Sequence, residues 1–181
     1  QPSAPGDLEV RHKGTGIDLQ LSGAGSKEIA LRETGYQTGV QIELGAFAKD
    51  GQTLDFRLQL SLGLEGPEEE LVCEAVAMEG GTRVRQLLWP GGVEPASFDA
   101  TVVPFMQGMF LPKDWPRKVW LYDDLSFGRG LYMPWWGHQQ GPGALLMMLE
   151  TPDDGGCRFQ HPEGGPTRLA PRWVHSLGRF A

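Results

Sequence analysis

Residues 39–62, "GVQIELGAFAKDGQTLDFRLQLSL", alternate apolar and polar side chains on both sides of Asp50-Gly51. Val40, Ile42 and Leu44 share one parity before that dipeptide; Leu54, Phe56, Leu58, Leu60 and Leu62 share one after it. Successive side chains of an extended chain point to opposite faces, so each half reads as a strand with one apolar face. Asp-Gly supplies the positive-φ residues of a tight hairpin turn. A helix could not use this pattern, because its faces repeat every 3.6 residues.

The same period recurs along the chain. "IDLQLS" places Ile17, Leu19 and Leu21 together. "EELVCEAVAM" and "TRVRQLLW" flank Gly80-Gly81 and read as a second hairpin, and "KVWLYDD", "GLYMPWW", "GALLMMLE" and "CRFQHP" add further strands. Only residues 26–36, "SKEIALRETGY", suit a short helix, ended by Gly35. Prolines at 90, 95, 104, 112 and 116 exclude a central strand from residues 90–117, which read as a long ordered connection. In "GALLMMLE" the six consecutive apolar residues 144–149 leave no polar side, so a central strand buried on both faces is expected there. The fold class that follows is all-β: an antiparallel β-sandwich of about ten or more strands with very little helix.

A chain of 181 residues suffices for one domain with a real core, so a single β-sandwich domain over residues 1–181 is expected. Its 26 glycines and 14 prolines fall between alternating stretches and mark turns. The C-terminal "RWVHSLGRFA" stops inside a strand-like run, which points to a fragment of a longer multidomain chain. A net charge of −7 with no basic run argues against a nucleic-acid partner. No stretch has the ~18 apolar residues of a membrane helix. Cys73 and Cys157 lack CxxC spacing and a nearby histidine, so no metal site is expected; two unpaired thiols are favoured over one disulfide.

Motifs for chemistry are few. "GTGIDL" lacks the third glycine of a dinucleotide loop, "GAGSKE" lacks the order of a phosphate loop, and Ser126 lacks the glycines of a nucleophile elbow. No two of His12, His138, His161 and His175 stand at metal-ligand spacing. Glycoside hydrolysis needs two carboxyl groups set across the scissile bond. Asp123-Asp124 and Asp153-Asp154 are adjacent pairs, which point to opposite faces on a strand and are ordinary turn formers in a loop. No catalytic residue and no cofactor is therefore assigned. If a carboxylate is functional, Asp153 or Asp154 is preferred to Glu150.

Six tryptophans, at 89, 115, 120, 135, 136 and 173, are the strongest signal. Trp135 and Trp136 must face opposite ways when extended. One belongs to the core; the other either packs beneath the loop at residues 139–143 or faces a ligand or a neighbouring domain. An exposed indole stacks on the C–H face of a sugar. The carbohydrate- or domain-contacting set expected from sequence is Trp135, Trp136, His138, Asp153 and Asp154.

"RQLLWPGG", "VVPFMQGMFLPKDW", "GRGLYMPWWGHQQGPGALLMMLETPDDGG" and "RWVHSLGRF" together resemble the N-terminal, galactose-mutarotase-like β-sandwich (supersandwich) of large bacterial glycoside-hydrolase-like proteins. The likeness covers residues 85–180. It implies that a catalytic (β/α)-barrel follows this chain, and that the barrel holds the catalytic carboxylates. The function implied is a non-catalytic domain that packs on the barrel, lends a loop to its active site and has carbohydrate and that barrel as its partners. Two alternatives stand beside it: an independent carbohydrate-binding module, and a mutarotase-type sugar epimerase. The epimerase is the weakest, because it needs an acid–base pair that the histidines do not supply. A domain cut from a barrel should expose a large apolar patch; an independent module should show only a small aromatic platform.

Overall fold

The computed structural model describes residues 6–67, 70–91, 98–119, 124–127 and 129–174. Among these the fold is all-β: seventeen strands and a single 3₁₀ turn, and all but one of the strand pairs whose register is described are antiparallel. Two compact units emerge, one holding the described residues up to Leu87 and one spanning Leu88–Val174.

The first unit contains β1 (Leu8–His12), β2 (Thr15–Leu19), β3 (Ser26–Glu33), β4 (Gln37–Gly45), β5 (Ala48–Lys49), β6 (Gln52–Thr53), β7 (Phe56–Glu65), β8 (Glu70–Glu79) and β9 (Thr82–Leu88). Strands β3, β4, β7 and β8 form a four-stranded sheet in that order, while β1 lies between β2 and β9. The alternation that opened the sequence holds: Val40, Ile42 and Leu44 stand opposite Leu62, Leu60 and Leu58. Asp50 and Gly51 both have positive φ, 51° and 77°, and turn the short β5–β6 hairpin between these strands. Buried side chains come from both strand groups, among them Leu8, Val10, Val84, Leu44, Leu58 and Leu60, and Phe47 stacks on Phe56 at 4.8 Å.

Two expectations fail in this unit. Residues 26–33 form β3, not a helix. All eight of its residues pair with β4, and cross-strand partners outweigh the marginal stability of an isolated short helix. The second hairpin is also absent. β8 pairs with β7, whereas β9 pairs with β1, so the chain changes strand group at Gly80-Gly81. Asp55 holds this corner: its carboxylate accepts the Gly81 N–H at 2.8 Å, and its carbonyl accepts the N–H groups of Gly80 and Thr82. A Cβ on Gly80 would collide with the Asp55 carboxylate and would have to displace it from the Gly81 amide.

The second unit contains β10 (Ala100–Val103), β11 (Met109–Pro112), β12 (Asp124–Phe127), β13 (Gly130–Leu131), β14 (Trp135–Gln140), β15 (Gly143–Met148), β16 (Gly155–Gln160) and β17 (Arg168–Val174). One sheet runs β11-β10-β14-β15; the other strands order as β13-β12-β16-β17. Both sheets supply one core: Val103, Leu111 and Trp136 from the first meet Leu125, Leu131, Cys157, Phe159 and Leu169 from the second. This unit is a two-layer sandwich.

Its strands correct two more expectations. Residues 90–117 hold β10 and β11, and β10 is a central strand. The prolines permit this because Pro104 follows β10 and Pro112 ends β11, which lies at the sheet edge. The apolar run at 144–149 is not central. β15 is the edge strand beyond β14, and Leu146 and Met148 are exposed. Strand burial depends on neighbours in space, and an apolar run does not name them. Cys73 and Cys157 form no disulfide. Trp120, Asp123 and His175 lie outside the described residues.

Candidate functional site

Alternation along β14 decides the fate of each residue in "WWGHQQ". Trp136 and His138 point inward; Trp135, Gly137 and Gln139 point outward. Trp136 is 1% exposed and packs in the sandwich core, where its indole N–H has no hydrogen-bond partner. His138 is buried too. Its Nδ1 lies 3.1 Å from the Thr101 hydroxyl, its ring stacks on Phe98 at 4.5 Å, and its Nε2 has no partner. Burial pushes the His138 pKa below its ordinary value of 6.5, because the imidazolium would have no solvent there. Neither side chain can touch a ligand on the surface.

Trp135 is the outward member. Its indole N–H donates to Met133 Sδ at 3.3 Å, and its strand position is opposite Met148. The next rung on the same face sets Phe110, Val102, Gly137 and Leu146 side by side across all four strands. Phe110, Leu146 and Met148 are each more than half exposed, at 57%, 56% and 69%. The outer face of this sheet is thus an apolar, aromatic and methionine-rich patch centred on β14. Sequence reasoning found Trp135 but missed Phe110, Leu146 and Met148. The signal was present in the parity of Leu146 and Met148, which match Trp135 once β14 and β15 are paired through Gly141-Pro142.

That turn is clamped by Asp99. Its carboxylate accepts the Gly141 N–H at 2.8 Å and lies 3.4 Å from Lys113 Nζ. The Gly141 amide, and then Lys113, hold its carboxyl below the usual carboxylate range. Asp153 and Asp154 sit in the turn before β16, closed by the Gly155 N–H donating to the Thr151 carbonyl at 3.0 Å. Asp153 is exposed and Asp154 half-buried, and the Asp154 carbonyl accepts the Val174 N–H. Of the five residues expected to contact a ligand or a domain, the fold therefore brings only Trp135 to the apolar patch. Trp136 and His138 are core, and the aspartates belong to a turn.

The described histidines are committed to structure. His12, His138 and His161 each hydrogen bond to a threonine hydroxyl, of Thr82, Thr101 and Thr167. An open groove of about 550 Å³ in the first unit is lined by Asp55 and Glu79 among others. Asp55 holds the Gly81 amide, and Glu79 accepts from the Val84 amide and Arg83. Neither carboxylate is left for acid–base chemistry. Among the described residues no helix is long and apolar enough to cross a membrane.

No protein-family model and no curated protein sequence matches this chain. Solved structures do. The chain is similar to α-N-acetylgalactosaminidase NagBb from Bifidobacterium bifidum. Against its GalNAc complex the identity is 27% and the TM-score 0.77; against the ligand-free form they are 28% and 0.75. The likeness covers 96% of this chain and 28% of that one in both cases. The chain thus spans a little more than a quarter of the length of the enzyme that it matches.

Proposed function

We propose that this chain is the non-catalytic β-sandwich domain of a glycoside hydrolase, packed on a catalytic (β/α)-barrel that lies elsewhere in the polypeptide. The single observation that carries the reading is the fold likeness over nearly the whole chain to little more than a quarter of a glycosidase. The surface supports it. A patch of Phe110, Trp135, Leu146 and Met148 is rich in side chains that bury well against protein and poor in hydrogen-bonding groups for sugar hydroxyls. The carboxylates of Asp55, Glu79 and Asp99 are clamps or ion-pair partners, and Asp153 and Asp154 sit in a turn.

Half-exposed Trp135 keeps one second reading in play, an independent carbohydrate-binding module. The two readings separate by experiment. The 181-residue chain and the natural polypeptide that contains it are assayed on aryl glycosides, including aryl α-N-acetylgalactosaminide. The expected result is turnover by the natural polypeptide and none by the chain alone. Turnover by the chain alone, lost on one substitution within it, overturns the proposal. Binding of the chain to soluble glycans, lost in Trp135→Ala, favours the second reading.

A further inference from the structure

Two buried polar atoms of the second unit have no protein partner among the described residues: Trp136 Nε1 and His138 Nε2. Both belong to β14, and both side chains point to its inward face, where they are 1% and 3% exposed. Alternate residues of a strand have Cα atoms about 6–7 Å apart, so the two rings are next neighbours on that face. Orphans scattered at random over the sheets would seldom fall so close together. Native interiors pair nearly all of their buried polar atoms, and ordered water serves where protein does not.

The surroundings narrow what partners them. His138 is held from two sides: the Thr101 hydroxyl lies 3.1 Å from Nδ1, across the β10–β14 register, and Phe98 stacks on the ring at 4.5 Å. Nε2, on the far edge of the imidazole, is left to a guest. Trp136 packs among Val103, Leu125, Leu131, Phe159 and Leu169, whose side chains offer the indole N–H no acceptor. No Asp, Glu, Lys or Arg is buried among the described residues, so a charged guest would have no counter-ion. Burial also favours the neutral imidazole, which argues against an anion. A metal ion fails as well. The indole N–H is a donor only, and no three His, Cys, Asp or Glu of the described residues gather to hold a metal. The guest must therefore be small and neutral. It must accept from the indole N–H. It must also accept from Nε2–H or donate to bare Nε2, according to which imidazole nitrogen carries the proton. Water can do both, and two nitrogens meet the lower end of the roughly two to four partners that a buried water uses.

We propose that Trp136 and His138 hold one buried water molecule between them on the inward face of β14. The water completes a polar thread from Thr101 on β10, through the His138 ring, to the Trp136 indole. The thread ties the two central strands of β11-β10-β14-β15 together inside an apolar core. It fixes the Trp136 ring in one orientation, behind the patch that Trp135 presents on the outer face.

A crystal structure of the natural polypeptide, at a resolution that shows ordered solvent, tests this. The expected result is one solvent peak within hydrogen-bond distance, about 2.7–3.2 Å, of both Trp136 Nε1 and His138 Nε2. In Trp136→Phe the peak should be lost, because phenylalanine has no N–H to anchor it. The wild-type structure decides the proposal even where that variant does not fold. A protein atom bonded to either nitrogen, the lack of any peak, or a separate peak on each nitrogen overturns the shared site. So does a peak that stays in place in Trp136→Phe, which would assign the water to His138 alone.

Discussion

Two adjacent tryptophans show how far strand parity reaches at the level of a residue. Trp136 is in the core and Trp135 is outside it, so their replacements should differ. Trp136→Ala is expected to cost ~3–5 kcal/mol, the usual range for truncating a buried aromatic ring. Trp136→Phe should lose less, since it also removes a buried N–H without a partner. Trp135→Ala should stay within about 1 kcal/mol, as expected for a half-exposed site. Urea titrations of the three variants check this; equal large losses at both positions would place both rings in the core. His138 carries a second residue-scale prediction. Its folded-state pKa is lowered by burial, so the unfolded chain binds a proton that the folded chain refuses. Its contribution to stability is therefore complete above the ordinary value of 6.5 and is lost as pH falls below it toward the folded-state pKa. Melting temperatures measured from pH 8 down to pH 5 should fall more steeply for the wild type than for His138→Gln, which keeps a hydrogen-bonding group near Thr101 but does not titrate. Parallel curves would remove His138 as the cause.

Single elements show what alternation can and cannot establish. Strand existence and facing were legible because period two is a local property: Val40, Ile42, Leu44 and their partners on β7 required no knowledge of the remaining chain. Partner choice was not. Gly80-Gly81 looks like a hairpin turn, yet what places β8 and β9 in different strand groups is Asp55, which lies 25 positions before Gly80 (80 − 55) and holds the corner through its backbone and side chain. Residues 26–33 carry alternation too weak to outvote helical propensity, and only the β4 ladder decides them. Residues 144–149 are the reverse case, with a strong apolar signal on an edge strand. The corner makes a prediction at this scale. Gly80→Ala forces the Asp55 carboxylate away and should cost about 0.5–1.5 kcal/mol, the range for one hydrogen bond lost. Asp55→Ala should cost a similar amount. The double variant should lose clearly less than the sum, because both changes act on one contact. Strict additivity in denaturant titrations would show that the two residues do not act through one contact.

At the scale of the molecule, the all-β class was readable from the sequence, and the division into two units was not, since turn signals are alike within and between units. The candidate site was legible in part: Trp135 stood out by composition, but its surroundings, Phe110, Leu146 and Met148, come from three strands that sequence cannot align. The consequence is a chain with two separate apolar surfaces, one on the outer face of β11-β10-β14-β15 and one on the face of β3-β4-β7-β8. Both contain aliphatic side chains more than half exposed, and neither contains a lysine or arginine on the rungs that carry them. Contiguous exposed apolar area of this kind marks an interaction surface. The 181-residue chain should therefore enhance the fluorescence of a hydrophobic dye such as ANS while its near-ultraviolet circular dichroism remains that of a packed protein, which separates a native patch from a loosened core. Leu31→Lys and Met148→Lys should each reduce the enhancement, and together should reduce it further, with melting temperatures unchanged because both side chains are already mostly in water. If the chain is docked as proposed, the natural polypeptide that contains it should show much less enhancement per mole. Enhancement that persists in the natural polypeptide, or that neither lysine substitution lowers, would show that these faces meet solvent in the working protein and that the domain is docked through some other surface.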